Sequence, residues 1–133
     1  MTEGKPGWTK AFNDLTAAID SSGMCLFTSF ALSADDYAAF LKAGAGLIGS
    51  TEEMMKCGER TWNLERLFNL REGMDPLKED TLPKRLLEEP LPEGASKGRV
   101  SRVREMIPEY YKVRGWDERG VPTDSKLKEL GLV

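Results

Sequence analysis

The sequence has 133 residues and a mass of 14.8 kDa, a size typical of one domain around a single hydrophobic core. Hydrophobic residues make up 40% and charged residues 31%, which excludes a disordered chain, and no apolar run reaches the length of a membrane span. The net charge of -3 and the pI near 5.1 argue against a protein that binds nucleic acid.

Histidine is absent, which excludes imidazole general bases and most zinc sites. The two cysteines, Cys25 and Cys57, are too few for a disulfide scaffold and indicate a reducing compartment. The first residues, Met1 to Pro6, lack the apolar stretch of a signal peptide. Together these features predict a cytoplasmic protein with neither a membrane nor a nucleic acid as partner.

The first predicted helix runs from Trp8 to Asp20. Its large apolar residues recur three and four positions apart, which is the spacing of one helix face. They are Trp8, Phe12, Leu15 and Ile19. Gly23 suits the left-handed conformation at or past the end of this helix. Because residues 24–27 are apolar, we expect the chain to return to the interior at this point.

Ser33 and Asp36 form a predicted capping box at the start of a second helix, which ends in the glycine-rich residues 44–49. The third and longest predicted helix follows the cap Thr51 and runs to about Glu72. Its predicted apolar face consists of Met54, Cys57, Thr61, Leu64 and Phe68.

Three prolines lie within residues 80–98 and predict one short helical segment followed by an irregular crossing. The next amphipathic helix is expected to begin near residues 104–107, which would place Pro108 in its first turn. A last helix is predicted over Asp124–Leu130, capped by Thr123. No segment alternates as a strand does, so the sequence predicts an all-α, irregular multi-helix fold in one domain, residues 1–133.

The segment from Asp20 to Cys25 brings a carboxylate, a turn glycine and a thiol within six residues. The carboxylate suits a ligand rich in N–H groups, such as a pterin, and the thiolate suits a soft metal or an iron–sulfur cluster. The alternative is a helix end followed by a buried free cysteine. Spacing alone favours this alternative, because one cysteine cannot hold a cluster that needs four.

Two further features have mainly structural interpretations. Cys57 lies on the predicted apolar face of the third helix and is expected to be a small core residue. The basic residues Lys97, Arg99, Arg102 and Arg104 could form a patch for an acidic partner. Acidic residues such as Glu105 are interspersed with them, so a solvated face is favoured.

Asp20-Ser21-Ser22-Gly23-Met24-Cys25 resembles the D-x-x-G-L-C motif of the tungsten-containing aldehyde ferredoxin oxidoreductases. Residues 58–73, GERTWNLERLFNLREG, are similar to the signature G-E-R-x-W-N-L-E-R-L-F-N-x-R-E-G of that family. Shorter similarities occur, in the same order, at residues 80–85, 88–92, 110–111, 114–117, 120–123 and 127–131. The resemblance therefore covers nearly the whole chain.

The resemblance implies the last helical domain of an enzyme several times longer, without the N-terminal cofactor-binding part. In that family a tungsten ion is held by the dithiolenes of two pterins, close to a [4Fe–4S] cluster. Aldehydes are oxidised to carboxylic acids, and the electrons pass to ferredoxin. The resemblance is compatible with either tungsten or molybdenum and does not specify which aldehyde is oxidised. It is equally compatible with a truncated chain, a split-gene subunit or a gene remnant.

By the same resemblance, Cys25 would be the fourth ligand of the cluster and Asp20 a hydrogen-bond acceptor for a pterin. Met24, which is Leu in the family motif, and Leu26 would contact the pterin through backbone groups. The other three cluster cysteines, in a C-x-x-C-x-x-x-C segment, and the catalytic residues belong to the N-terminal portion. We therefore expect the isolated chain to hold no cofactor, to contain no catalytic residue and to be inactive alone.

The expected partners are the N-terminal portion, or a separate subunit carrying it, and ferredoxin. The alternative function is a stand-alone helical interaction or structural module without a cofactor. Signature residues Asn63, Glu65, Arg66 and Arg71 are expected to form buried polar links between helices. Residues 25–30 and the helix around Trp62 and Phe68 carry more apolar surface than a small bundle hides, and some of it is expected to face the rest of the enzyme.

Overall fold

Seven α-helices and one 3₁₀ helix make up the secondary structure of residues 2–133, the part of the chain that this computed structural model describes. In chain order they are α1 (Lys5–Ser21), the 3₁₀ helix (Leu26–Phe30), α2 (Ala34–Ala45), α3 (Thr51–Arg71), α4 (Pro76–Glu79), α5 (Lys84–Glu88), α6 (Val103–Arg114) and α7 (Asp124–Leu130). Within this range no strand forms, and one isolated bridge pairs Trp116 with Pro122. The predicted all-α class is confirmed.

Helices α1 and α3 form the main helix pair, and α2, α6 and α7 pack around it. The backbones of α1 and α3 come into contact at Gly58, where a Cβ atom would overlap the carbonyl oxygen of Asp14. Beside this crossing, the indole Nε1 of Trp62 donates a hydrogen bond to the carbonyl oxygen of Asn13 at 2.7 Å. A glycine at position 58 is therefore what allows the two backbones to come this close.

A small apolar core lies between α1, α2 and α3. Its buried residues are Ala18, Ile19, Tyr37, Ala38 and Met54. Partly buried apolar side chains extend it: Leu15, Met24, Leu32, Leu41 and Ile48. Met24 belongs to the segment that links α1 to the 3₁₀ helix, so the core anchors this segment as well.

Helix caps agree closely with the sequence pattern. The capping box of Ser33 and Asp36 is present at the start of α2, and Thr123 caps α7 by accepting a hydrogen bond from the N–H of Lys126 at 3.3 Å. At α3 the cap is Ser50, one residue before the predicted Thr51. Ser50 has the extended backbone of a cap and accepts from the N–H of Glu53 at 3.2 Å, while Thr51 already has helical geometry.

The proline positions account for three differences from the predicted helix boundaries. Helix α1 begins at Lys5, because Pro6 lies in its first turn, where the missing N–H has no partner to lose. Helix α4 starts at Pro76 after the cap Asp75, where no helix was predicted. Helix α6 begins at Val103, so Pro108 lies in the helix interior and not in the first turn, and its missing N–H removes one main-chain hydrogen bond.

Two predicted apolar faces are only partly covered. On α1, Ile19 is fully buried, but Trp8 and Phe12 are 70% and 62% exposed. On α3, Leu64 and Phe68 lie at the surface, whereas the buried residues are Met54, Gly58, Asn63 and Arg66. The prediction for the C-terminal half of the α3 face is therefore wrong, because an apolar period locates a stripe without showing whether anything in the same chain covers it.

No helix within residues 2–133 has both the length and the hydropathy needed to cross a membrane.

Candidate functional site

The segment from Asp20 to Leu26 leaves α1 through a tight turn. The last helical residue is Ser21, and Gly23 has a left-handed φ of 77°. The hydroxyl of Ser22 donates to the carbonyl oxygen of Ile19 at 2.6 Å and accepts from the N–H of Met24 at 3.2 Å. These hydrogen bonds terminate α1 and fix the direction of the chain toward Cys25. The left-handed conformation predicted for Gly23 is confirmed.

Cys25 is the exposed residue that precedes the 3₁₀ helix. Its carbonyl oxygen accepts two hydrogen bonds from Thr28, from the N–H at 3.1 Å and from the hydroxyl at 2.6 Å. The Thr28 hydroxyl is also 2.5 Å from the hydroxyl of the buried Tyr37 on α2. The backbone of Cys25 is thereby tied to the apolar core.

The exposure of this segment overturns two expectations. Residues 24–27 do not return to the interior: only Met24 packs on the core, and Cys25, Leu26 and Phe27 are exposed. The interpretation of Cys25 as a buried structural cysteine is also wrong. Apolar character alone does not establish burial: of residues 24–27, only Met24 packs against the core between α1, α2 and α3.

The four predicted site residues therefore present different groups. The carboxylate of Asp20 and the thiol of Cys25 are exposed. Met24 is half-buried and anchors the segment, and Leu26 is partly exposed. Within residues 2–133 the backbone N–H groups of Cys25 and Leu26 donate no hydrogen bond. The segment thus offers an anionic acceptor, a thiol and two free N–H donors on a short, anchored stretch of chain.

The described part of the chain contains no complete metal site. Both cysteines are free, and residues 2–133 contain no group of three Cys, Asp, Glu or His residues placed to hold a metal ion. An exposed thiol at a fixed backbone position fits one ligand of an iron–sulfur cluster, whose other ligands must come from another polypeptide segment. Cys57 is half-buried on α3.

A polar centre lies between α3, α6 and the segment around Asp80. Arg66 Nη1 donates to Asp80 Oδ1 at 3.0 Å, and Arg66 Nε donates to the carbonyl oxygen of Gly120 at 2.8 Å. The guanidinium of Arg66 also stacks over the ring of Trp116, 4.5 Å from its centroid. The Nε1 of Trp116 donates to Asn63 Oδ1 at 2.8 Å. The predicted structural role of Asn63 and Arg66 is confirmed, whereas Glu65 and Arg71 are exposed, so the same prediction is wrong for them.

Three pKa values are shifted in this centre. Burial lowers the pKa of Arg66, but its hydrogen bond to Asp80 and the charge of Asp80 outweigh this effect, so the pKa lies above its ordinary value. Burial raises the pKa of Asp80, but hydrogen bonds from Arg66 and Tyr111 and the charge of Arg66 outweigh it, and the pKa lies below its ordinary value. Burial, together with the hydrogen bond that its hydroxyl donates to Asp80 at 2.5 Å, raises the pKa of Tyr111 to about 12. Asp80 is therefore anionic and Tyr111 neutral at neutral pH. This indicates that Arg66 and Asp80 form a structural ion pair, to which Tyr111 adds a hydrogen bond.

Sequence reasoning missed a second buried ion pair. Arg114 on α6 pairs with Asp14 on α1, and both side chains are almost fully buried. The Nε of Arg114 donates to the hydroxyl of Tyr110 at 2.8 Å, and its guanidinium lies 5.2 Å from the ring centroid of Trp62. The 100-residue separation of the two charges leaves no local signal. The only hint was a charged residue, Asp14, among the apolar residues of the α1 pattern.

A surface groove of about 1030 Å³ lies elsewhere on the molecule. It is lined by α4 and the adjacent Asp80, by α6, which includes Tyr111, and by residues after α6, which include Trp116. None of the residues from Asp20 to Leu26 lines it. The groove therefore borders the polar centre and does not enclose the predicted cofactor segment.

Comparison with known families decides the classification. A family model described as "Aldehyde ferredoxin oxidoreductase, domains 2 & 3" matches residues 1–132. This chain belongs to the aldehyde ferredoxin oxidoreductase family. The predicted family is confirmed.

Curated members of the family are similar in sequence. The tungsten-containing aldehyde ferredoxin oxidoreductase of Pyrococcus abyssi is 64% identical over 121 residues, and that of Pyrococcus horikoshii is 62% identical over the same length. In each case the match covers 91% of this chain and 20% of the relative. The chain thus spans about a fifth of the length of the curated aldehyde ferredoxin oxidoreductases it matches.

Two further similarities extend beyond these enzymes. The WOR-like subunit of an aliphatic sulfonate oxidoreductase of Pyrococcus furiosus is 37% identical over 82 residues, covering 56% of this chain and 13% of that protein. The active-site complex BamBC of benzoyl coenzyme A reductase superposes with a TM-score of 0.57 at 31% identity, covering 76% of this chain and 14% of the other. This helical arrangement is therefore shared by several oxidoreductases.

Proposed function

We propose that this chain is the C-terminal helical part of a pterin-dependent tungsten or molybdenum oxidoreductase with a [4Fe–4S] cluster. The enzyme would oxidise aldehydes to carboxylic acids and pass the electrons to ferredoxin. The relatives that support this proposal are named tungsten-containing aldehyde ferredoxin oxidoreductases, and this chain corresponds to a fifth of their length. The activity would thus require the rest of the polypeptide.

The observation that carries the proposal is the exposure of Cys25 and Asp20 on one anchored segment. A stand-alone domain gains nothing from an unpaired surface thiol next to a free carboxylate and two free N–H groups. A cofactor held by a second portion of the enzyme could use all of them. In this role the Cys25 thiolate would bind one iron of the cluster, and the Asp20 carboxylate would accept hydrogen bonds from a pterin.

The neighbouring residues would position these two groups. The side chain of Met24 fills part of the core, so the backbone that carries Cys25 is held against α1 and α2. The N–H groups of Cys25 and Leu26 are free to donate to polar atoms of the pterin. When bound, the metal–pterin group would supply the two-electron chemistry by which an aldehyde takes up one water oxygen, and the cluster would supply the exit route for the electrons.

Iron content tests the ligand assignment. The chain is assembled with its N-terminal portion under anaerobic conditions, as wild type, Cys25→Ala and Cys57→Ala. We expect Cys25→Ala to lose the iron of one [4Fe–4S] cluster and its electron paramagnetic resonance signal, because the cluster lacks its fourth thiolate. Cys57→Ala is the matched control, since it removes the other thiol and should retain the iron. Equal iron content in the two variants would falsify the assignment.

Native mass and metal content distinguish this function from the alternative, a helical interaction or structural module. The chain is isolated from its own host without oxygen, and iron and tungsten are measured together with the native mass. Metal in a complex much heavier than 14.8 kDa supports the oxidoreductase. A metal-free species of 14.8 kDa supports the stand-alone module.

A further inference from the structure

Two hydroxyl groups connect the backbone of Cys25 to the interior of the domain. The hydroxyl of Thr28 lies 2.6 Å from the carbonyl oxygen of Cys25 and 2.5 Å from the hydroxyl of Tyr37. A carbonyl oxygen has no proton, so Thr28 must donate to Cys25, and its one hydroxyl proton is then used. Tyr37 must therefore donate to Thr28. The three groups form a directed chain in which each hydrogen bond strengthens the next.

This chain of hydrogen bonds is anchored at its Tyr37 end. Tyr37 on α2 is fully buried in the apolar core, and Thr28 is the only hydrogen-bond partner of its hydroxyl among residues 2–133. A buried hydroxyl without a partner would cost free energy. The Tyr37 hydroxyl therefore holds the Thr28 side chain in one position, although Thr28 itself is exposed.

The 3₁₀ helix that carries Thr28 has few other attachments. None of its five residues is buried, and Phe27 and Phe30 are 78% and 86% exposed. Within residues 2–133, the bond between Thr28 and Tyr37 is the one side-chain hydrogen bond that joins this element to another helix. We name the two hydroxyls of Thr28 and Tyr37 the hydroxyl pair. It is the polar link that orients the chain directly after Cys25.

The group that the hydroxyl pair holds is the peptide between Cys25 and Leu26. This peptide is planar and trans, so its carbonyl and its N–H point in opposite directions. Fixing the Cys25 carbonyl against Thr28 thus fixes the Leu26 N–H, which donates to no group within residues 2–133. Only a few covalent bonds separate this N–H from the Cys25 thiol. A group bound to the thiol would therefore lie near the positive end of an immobilised peptide dipole.

We propose that Thr28 and Tyr37 are positioning residues for Cys25, and that the hydroxyl pair keeps the Leu26 N–H available to the group that the Cys25 thiolate binds. This inference rests on the proposed function. The potential of an iron–sulfur cluster depends on hydrogen bonds to its sulfur atoms, and residues that orient a ligand tune the metal. A fixed N–H near the thiolate favours the reduced, more negative cluster. Loss of the hydroxyl pair should therefore lower the reduction potential.

The test measures the iron content and the reduction potential of the cluster in the assembled enzyme, by a redox titration followed by electron paramagnetic resonance. Thr28→Val removes the hydroxyl but keeps the main-chain bond from the N–H of residue 28 to Cys25, and Tyr37→Phe removes only the buried oxygen. We expect both to keep the iron and to lower the ratio of reduced to oxidised cluster at a fixed potential about threefold, roughly 30 mV for a one-electron couple. Thr28→Ser keeps the hydroxyl and should have the wild-type potential.

The matched control is Thr61→Val on α3. The hydroxyl of Thr61 donates to the carbonyl oxygen of Cys57 at 3.1 Å, so this variant removes the same kind of hydrogen bond from the other cysteine. We expect its potential to equal that of the wild type. Circular dichroism checks the fold of every variant. Loss of the native fold in both Thr28→Val and Tyr37→Phe would make the hydroxyl pair purely structural and overturn the inference.

Three results of the titration also overturn it: a potential that is unchanged or raised in both hydroxyl variants, an equal shift in Thr61→Val, or an equal shift in Thr28→Ser. Loss of iron from a natively folded hydroxyl variant supports the inference, because a displaced thiolate cannot complete the cluster.

Cys25→Ala separates this inference from the proposed function. If Cys25→Ala loses the cluster iron while both hydroxyl variants keep the wild-type potential, the ligand assignment stands and only the positioning role fails. If Cys25→Ala keeps the iron and the potential of the wild type, the ligand assignment fails, and the positioning role fails with it.

Discussion

Two arginines, Arg66 and Arg114, lie inside this small domain and keep their charges by pairing. Each has one carboxylate partner, Asp80 and Asp14, and each guanidinium stacks on aromatic rings. A buried charge is costly unless hydrogen bonds replace its hydration, and the planar guanidinium can make such bonds and stack at the same time. Arg66 therefore links α3 to the segment around Asp80, and Arg114 links α6 to α1.

Replacement of the carboxylate partner of Arg66 should be destabilising. At pH 6 we expect Asp80→Asn to lower the free energy of unfolding by about 2 kcal/mol, because the mostly buried guanidinium loses its charged acceptor while Asp80 itself is only partly buried. The folded-state pKa of Asp80 lies below its ordinary value of 3.8, so its contribution is full above that pH and is lost as the pH falls through the folded-state pKa. Urea unfolding at pH 6 and pH 2 should show the difference between wild type and variant shrinking on acidification.

The exposed pair of Arg102 and Glu105 provides the control for this measurement. Both side chains are more than half exposed, so Glu105→Gln should change the free energy of unfolding little at either pH. A gap between wild type and Asp80→Asn that stays constant from pH 6 to pH 2 would contradict the role assigned to the Asp80 charge.

At the scale of elements, the crossing of α1 and α3 sets the geometry of the domain. The two backbones are in contact at Gly58, so no side chain separates them there. The same crossing brings Asn13 of α1 to Trp62 of α3, and the neighbouring Asp14 pairs with Arg114 of α6. A shift of one helix would disturb the apolar core and the polar links together, because both are attached to α1.

Gly58→Ala tests the crossing, with Gly44→Ala in α2 as its control. A methyl group at position 58 overlaps the Asp14 backbone and forces the helices apart, so we expect a loss of about 2–3 kcal/mol despite the better helix propensity of alanine. A Cβ at Gly44 meets no atom within 4 Å, and this substitution should stabilise by about 0.5–1 kcal/mol. Thermal unfolding monitored by circular dichroism measures both. Stabilisation by Gly58→Ala is the result that would contradict the close packing.

At the scale of the whole molecule, the domain has two interiors of different chemistry. One is the apolar core between α1, α2 and α3, which includes Met54. The other is the set of ion pairs and hydrogen bonds that joins α1 and α3 to α6 and to the segments at Asp80 and Gly120. Helix α3 passes through both, with Met54 in the first and Asn63 in the second. Because one continuous helix contributes residues to both interiors, we expect the apolar core and the polar network to unfold together.

Met54→Ala and Asn63→Ala should therefore lower the midpoint of one and the same transition. Met54→Ala leaves a cavity in the core, for which we expect about 2–4 kcal/mol. Asn63→Ala leaves the Nε1 of Trp116 without its acceptor, for which we expect about 1–3 kcal/mol. Differential scanning calorimetry of each variant should show a single peak. Two resolved transitions, with only one of them moved by each variant, would mean that the interiors are independent units.

Local signals in the sequence located most of the helices and their ends. The capping box of Ser33 and Asp36, the cap Thr123 and the turn residue Gly23 act through groups within four residues of themselves, so short-range chemistry is enough to place them. The family signature identified Asn63 and Arg66 as structural residues, but not which of their signature neighbours would be buried. Pro108 misled the prediction because a proline is tolerated within a helix when the surrounding contacts compensate for one lost hydrogen bond.

The sequence by itself determined the all-α class, the family and the candidate residues Asp20, Met24, Cys25 and Leu26, because helix periodicity, caps and motifs are properties of neighbouring residues. Only the tertiary structure decided that Cys25 is exposed, that the aromatic rings near it have no cover, and that Asp14 pairs with Arg114. These facts depend on distances between residues far apart in the chain. Such distances are set by the packing of helices against one another, and the period of one helix contains no information about its partner.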